Sequence, residues 1–150
     1  MRVLTDEEIP TIVPLVQHYL EASQLPIAFR AEKVVAFWAN RYQLQTGELC
    51  GSFQGNQLVG LFGVHTMDSS FGDVLYAHEW IWWMEPGFRK GPAGMELLAW
   101  AESWSTARGL GLSVGSYDCV HGDVMARFYK RRGYQRQGSV YIKSWEVADV

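Results

Sequence analysis

Three clusters in this sequence have the residue types and spacing for chemistry. Arg89-Lys90-Gly91-Pro92-Ala93-Gly94 places two cations before a run of small residues, which suits a bound anion. His78 and Glu79 set an imidazole beside a carboxyl. An unperturbed imidazole titrates near neutrality, as a base should. Phe128-Tyr129 stands before the densest basic run of the chain, Lys130-Arg131-Arg132. A phenol stays protonated at neutral pH and can donate a proton. His65 reads as structural, His18 and His121 have no partner in the sequence, and the four histidines show no metal-ligand spacing.

The elements that must position these groups follow from periodicity. Residues 74–84 are rich in aromatic and β-branched types without Gly or Pro, so they predict a largely buried strand. Regular alternation puts His78 and Glu79 on opposite faces, with His78 on the face of Trp80, Trp82 and Met84. Glu85-Pro86-Gly87 breaks the strand, and Pro92 is a good first helical residue. From there Leu97, Ala101 and Trp104 fall on one helical stripe beside Leu98, and Gly109 is a C-terminal stop. A helix start offers unpaired N–H groups and the positive end of the dipole, and Arg89 and Lys90 add charge there. The turn is neither a P-loop nor a dinucleotide fingerprint, since neither spacing is present. Taken by themselves, these residues fit a phosphate site and an ordinary strand–turn–helix with a solvated basic turn equally well. Lys130–Arg132 likewise fit a phosphate contact or a solvated helix end facing the negative dipole.

The rest of the chain supplies alternating elements. Arg2–Leu4 is a short strand, and a helix begins near Thr5 or Asp6, with Pro14 forcing a kink or a late start. A second helix is expected over Ala31–Gln45. Glu48–Phe53 and Gln57–His65 form a hairpin about Gly55-Asn56. Met67–Asp73 is a polar loop. Leu110–Tyr117 is a fifth strand, and a helix capped by Asp123 runs to Gly133. Two last strands flank Gln135–Gly138. The order β-α-α-β-β-β-α-β-α-β-β predicts a three-layer α/β domain over residues 1–150.

Arg89-Lys-Gly-Pro-Ala-Gly94 followed by Leu97-Leu98 resembles the acyl-CoA pyrophosphate loop of the GCN5-related N-acetyltransferase superfamily, Arg/Gln-x-x-Gly-x-Gly/Ala. Pro92 stands where the first of those glycines belongs. Phe128-Tyr129-Lys-Arg-Arg-Gly133-Tyr134 is similar to the family's second CoA-side motif, Phe-Tyr-x-x-x-Gly-Phe, with Gly122 in place of a frequent Asn. Glu79-x-x-Trp82-Trp83-x-x-Pro86 resembles a pattern of phage-encoded members. The resemblance implies an α/β/α fold whose mixed sheet splays between its fourth and fifth strands, and direct acetyl transfer from acetyl-CoA to an amine. It makes Tyr129 the general acid and His78 or Glu79 the base, with a strand bulge able to turn Glu79 inward. It gives pyrophosphate contacts to Arg89, Lys90, Gly91, Ala93, Gly94 and Met95. Pantetheine would pair with the main chain of Trp82, Trp83 and Met84, and Lys130 and Arg132 would meet the CoA phosphates. Rival readings are a non-catalytic acyl-CoA-binding module and a structural, partner-binding protein.

Composition narrows the field. With 48% hydrophobic and 19% charged residues the chain is globular, and its net charge of −3 gives no general nucleic-acid footprint. No long apolar run or signal peptide is evident, and Cys50 and Cys119, far apart in sequence, fit reduced thiols in a cytoplasmic protein. Seven tryptophans leave room for a pocket lining or a homodimer contact beyond the core.

Overall fold

The computed structural model describes residues 1–116 and 121–141. Its sheet has five strands in sequential order: β1 (Arg2–Val3), β2 (Gly47–Gln54), β3 (Gln57–Asp68), β4 (Leu75–Met84) and β5 (Leu112–Ser113). β1 to β4 pair antiparallel and β5 joins β4 in parallel, so the sheet is mixed. The helices are α1 (Val13–Ser23), α2 (Ala31–Leu44), α3 (Ala93–Ala107) and α4 (Gly122–Arg131). The expected late start of the first helix is present. Asp6–Ile12 form a 3-10 segment, and the α-helix begins where Pro14 falls at its N-terminus and needs no N–H partner.

Two cores lie on the two faces of the sheet. One gathers Ile12, Leu15, Val16 and Trp38 from the α1–α2 layer onto Leu49, Leu61, Ile81 and Trp83. The other sets Leu97, Leu98, Ala101 and Trp104 of α3 onto Cys50, Phe62, Val64, Ala77 and Met84. The stripe expected for α3 is its buried face. Trp38 is wholly buried because the sheet leaves room for it. A Cβ at Gly63 would come within 2.7 Å of its ring, and one at Gly47 within 3.1 Å. Burial of this kind, about 25 cal/mol per Å² of apolar surface, is what holds the layers together.

Several boundaries differ from the sequence expectation. α3 begins at Ala93, with Pro92 as the capping residue whose carbonyl accepts the N–H of Glu96 at 2.9 Å. α4 is capped by His121, not Asp123, which lies in its first turn. β5 is only two residues long, because the chain leaves β4 after Ser113. Residues 134–141 contain no strand, and the final strand falls outside the described residues, as does Cys119. Cys50 is buried, which pushes its thiol up to about 11. Among the described residues, no helix is long and apolar enough to cross a membrane.

Candidate active site

Strand β4 carries the site, and its register explains how. Gly63 lies opposite Ile81, but Val64 lies opposite Glu79, so Trp80 has no residue facing it across the ladder. This is a β-bulge, in which two residues occupy the space of one. Both Trp80 and Ile81 therefore pack on the α1–α2 side, with Trp83 beyond them. Ala77, Trp82 and Met84 pack on the α3 side. The bulge overturns the expected grouping of His78 with Trp82 and Met84. His78 lies on the α2 side against His65, whose ring in turn meets Phe37 and Trp38. Glu79 lies on the other side, toward α4.

β4 and β5 pair only at Ala77–Leu112 and His78–Ser113, then part. Tyr129 fills the mouth of the wedge between them. Its ring packs near Trp82, Phe128 and Tyr134, and its hydroxyl donates to the carbonyl of Gly115 at 3.2 Å. The same hydroxyl lies 3.5 Å from Oε2 of Glu79, which also accepts the Gly115 N–H at 3.3 Å. Burial pushes the Glu79 carboxyl up to about 8, against the pull of these two donors. Burial, then the nearby Glu79 charge, raises the Tyr129 phenol well above its ordinary range, so it keeps its proton. His78 is shifted the other way: burial lowers its pKa, and its Nδ1 is enclosed without a hydrogen-bond partner among the described residues. The carboxyl is therefore the group that faces the wedge.

Beyond Glu79 the outer edge of β4 pairs with no strand among the described residues. Glu85 donates its N–H to Val59 at 2.9 Å, so the residues that pair with β3 are Glu85 and, by alternation, Trp83 and Ile81. Trp82 and Met84 turn their backbone polar groups toward the wedge. The Met84 carbonyl accepts Nε of Arg89 at 2.9 Å, and the Arg89 guanidinium lies over the Trp83 ring at 4.5 Å. Arg89 thus braces the turn from the strand side.

The turn ends at the start of α3. Gly91 has φ of +121°, a conformation glycine adopts readily and side-chain residues resist. Ala93, Gly94 and Met95 carry N–H groups that precede the first intrahelical donor, Glu96. A Cβ on Gly94 would meet nothing closer than Met84 Cγ at 3.4 Å, and one on Gly91 nothing at all. No close protein contact of theirs requires these glycines, and they leave the backbone open to a phosphate. Lys90 is exposed beside them.

α4 is fastened to α3 by charge. Arg132 makes two hydrogen bonds of 2.7 Å to Glu102, which also accepts the Tyr134 hydroxyl at 2.9 Å. The Arg132 guanidinium is the first cause of the lowered Glu102 pKa. Arg132 is occupied by this pairing, while Lys130 is exposed. The role of Gly115 and the Glu102 tie had no signal in the sequence. Neither did the partner of His18, whose Nδ1 lies 2.7 Å from Glu85, 67 positions further along the chain.

No family model and no characterised protein sequence matches the chain. Solved structures do. A predicted acetyltransferase from Clostridium acetobutylicum, crystallised with acetyl-CoA, superposes with a TM-score of 0.78 at 11% identity, over 95% of this chain and 94% of that one. A GCN5-related N-acetyltransferase from Ralstonia eutropha gives 0.71 at 12% identity, over 95% and 96%. An aminoglycoside 6'-N-acetyltransferase from Acinetobacter haemolyticus gives 0.69 at 8% identity, over 98% of each. With its mixed sheet, its parallel β4–β5 pair and these likenesses over nearly its whole length, the chain has the fold of the GCN5-related N-acetyltransferases.

Proposed function

We propose that this chain is an acetyl-CoA-dependent N-acetyltransferase, a single domain that transfers acetyl directly to a primary amine with both substrates bound. The observation that carries the reading is the Glu79–Tyr129 pair, set in the wedge between β4 and β5 beside an unpaired strand edge. Acetyl-CoA would supply an activated acyl group on a thiol leaving group. The N–H groups of Ala93, Gly94 and Met95 would hold its pyrophosphate, with Lys90 nearby. The outward backbone groups of Trp82 and the N–H of Met84, whose carbonyl is held by Arg89, would pair with its pantetheine like an added strand.

Placement supports each catalytic role. Glu79 takes a proton from the attacking amine, because its carboxyl faces the wedge and its raised pKa makes it a stronger base than an exposed carboxylate. Tyr129 gives its proton to the sulfur as the thiol leaves. His78 is the alternative base, although it lies on the opposite face of the strand. The acceptor would enter past residues 25–30 and the 69–74 loop, from the side away from α3; β3 extends through Met67 and Asp68, which were expected in that loop.

A thermal-shift titration with acetyl-CoA tests the reading. At about 100 times the dissociation constant, a ligand should add roughly 2.7 kcal/mol of stability. Gly94→Glu, which puts bulk and negative charge where phosphate belongs, should abolish the shift. An unchanged shift in that variant would put the cosubstrate elsewhere. A screen of amines for thiol release must then show turnover. Binding without turnover on any amine class would favour a non-catalytic acyl-CoA-binding module, a reading to which Pro92 lends some weight, because it removes one N–H from the phosphate loop.

A further inference from the structure

The structure assigns Gly115 a role in this site. We propose that it is the positioning residue, whose backbone N–H and C=O hold Glu79 and Tyr129 together and whose missing side chain leaves space beside them for the reacting acyl group. The proposal rests on the acetyltransferase reading for its second half only.

The geometry is a bridge of two hydrogen bonds and one close approach. Gly115 N–H reaches Oε2 of Glu79 at 3.3 Å, its carbonyl takes the Tyr129 hydroxyl at 3.2 Å, and that hydroxyl stands 3.5 Å from the same Oε2. Oε1 of Glu79 has no hydrogen-bond partner among the described residues, so one carboxyl oxygen is fixed and the other is left for the amine. Residue 115 can do this because β5 has already parted from β4, two positions after the last paired residue, Ser113. Its N–H and C=O are thereby released from the sheet ladder and turned to side chains.

Gly115 is not conserving room for the protein. A Cβ there would meet no atom of the described residues within 4 Å, and the backbone is not in the left-handed region that requires glycine. A side chain at 115 would therefore project into the open wedge. Packing among the described residues gives no reason for glycine here, whereas a substrate would. This separates Gly115 from Gly63, where the space is taken by Trp38.

The test uses the full chain and has two arms. In the first, the Gly115 amide is followed by NMR while pH is raised through the titration of Glu79. A hydrogen-bonded amide reports ionisation of its acceptor, so its proton shift should move with the carboxyl and stay flat in Glu79→Gln. Tyr129 from α4 faces that carboxyl, with Tyr134 behind it, and His78 precedes it on the other face of β4; the Glu79→Gln control isolates Glu79 from all three. A flat amide in the parent, or an equal shift in Glu79→Gln, overturns the clamp. This arm needs no substrate and stands even if the chain binds no CoA compound.

In the second arm, Gly115→Ala and Gly115→Val are titrated with acetyl-CoA and butyryl-CoA. Both variants should melt with the parent. The valine variant should lose about tenfold or more of its butyryl-CoA affinity relative to acetyl-CoA. Equal effects on the two thioesters, or none, would overturn the acyl-space role. A parent that binds neither thioester defeats the acetyltransferase reading and this role together, and leaves the clamp to the first arm.

Discussion

The indole Nε1 of Trp82 donates to the carbonyl of Gly94 at 3.1 Å, joining the strand that carries Glu79 to the first turn of α3. The same indole packs within 6.2 Å of the Tyr129 ring. One side chain therefore touches both the phosphate end and the acid end of the proposed site. Trp82→Phe keeps an aromatic ring and removes the donor. The variant should lose about 1 kcal/mol of stability, as expected for one hydrogen bond. Its acetyl-CoA dissociation constant should rise about fivefold, on the order of 1 kcal/mol. Thermal melts and calorimetric titration check this, and an unchanged dissociation constant would reduce the bond to packing.

The identity of the base is decided by pH. With Glu79 near 8, kcat/KM should climb with pH and level off above about 8. His78 has a lowered pKa, so a histidine base would already be neutral through that range and the limb would end below neutrality. Glu79→Gln should cost on the order of 10²–10⁴ in rate, and His78→Asn far less. Stability carries the same signature. A carboxyl with a raised folded pKa favours the fold while protonated. Its contribution is complete below the unfolded value and is lost as pH rises through about 8. Glu79→Gln should flatten that decline in chemical denaturation at several pH values.

Tyr129→Phe removes only the donor oxygen. It takes away the bond to the Gly115 carbonyl, a loss of about 1 kcal/mol, and leaves the packing on Trp82 and Phe128. The expected result is near-normal acetyl-CoA affinity with kcat lower by roughly 10²-fold. Since a thiolate can leave unprotonated, the effect should not be total. Full activity in steady-state kinetics would make Tyr129 a packing residue. Loss of affinity in step with kcat would make it a binding residue.

His18 and Glu85 tie α1 to the end of β4, just before the turn proposed to hold phosphate. The hydrogen bond to Glu85 is the first cause of the raised His18 pKa. A histidine with a raised folded pKa stabilises the fold below its unfolded value and stops doing so as pH rises through its folded one. The pair is half exposed on the His18 side, so solvent limits the effect. His18→Gln should therefore melt lower than the parent at pH 5 and alongside it at pH 9. A gap that persists at high pH would mean that packing, not charge, joins the two.

Much of this architecture is legible in the residues. The strand–turn–helix from 74 to 109 is written in its periodicities, and Pro92 and Gly109 punctuate it within a residue or so of the observed ends. Tyr129 and the small residues of the turn could be named from spacing plus resemblance. The side on which Glu79 lies could not be derived from alternation, because the bulge at Trp80 carries no glycine or other local mark. It arises from packing, as Trp80 and Ile81 both settle on the α1–α2 core. Gly115 was invisible for a related reason: its importance lies in where β5 abandons its neighbour. The Glu102–Arg132 and His18–Glu85 pairs join distant residues, and nothing in either segment names the other.

The unmatched residue in β4 acts as a shift of reading frame in the strand's inside–outside code. Before it, odd-numbered Ala77 and Glu79 point toward α3 and α4; after it, odd-numbered Ile81 and Trp83 point toward α1 and α2. A chain one residue shorter at position 80 would keep one frame from end to end. Glu79 would still face Tyr129, and Ile81 and Trp83 would still face their core, because removing Trp80 closes the two-for-one step without turning its neighbours. Deletion of Trp80 should therefore cost its packing on Phe37 and Trp38 but spare the direction of Glu79, whereas deletion of His78 should turn Glu79 away from Tyr129.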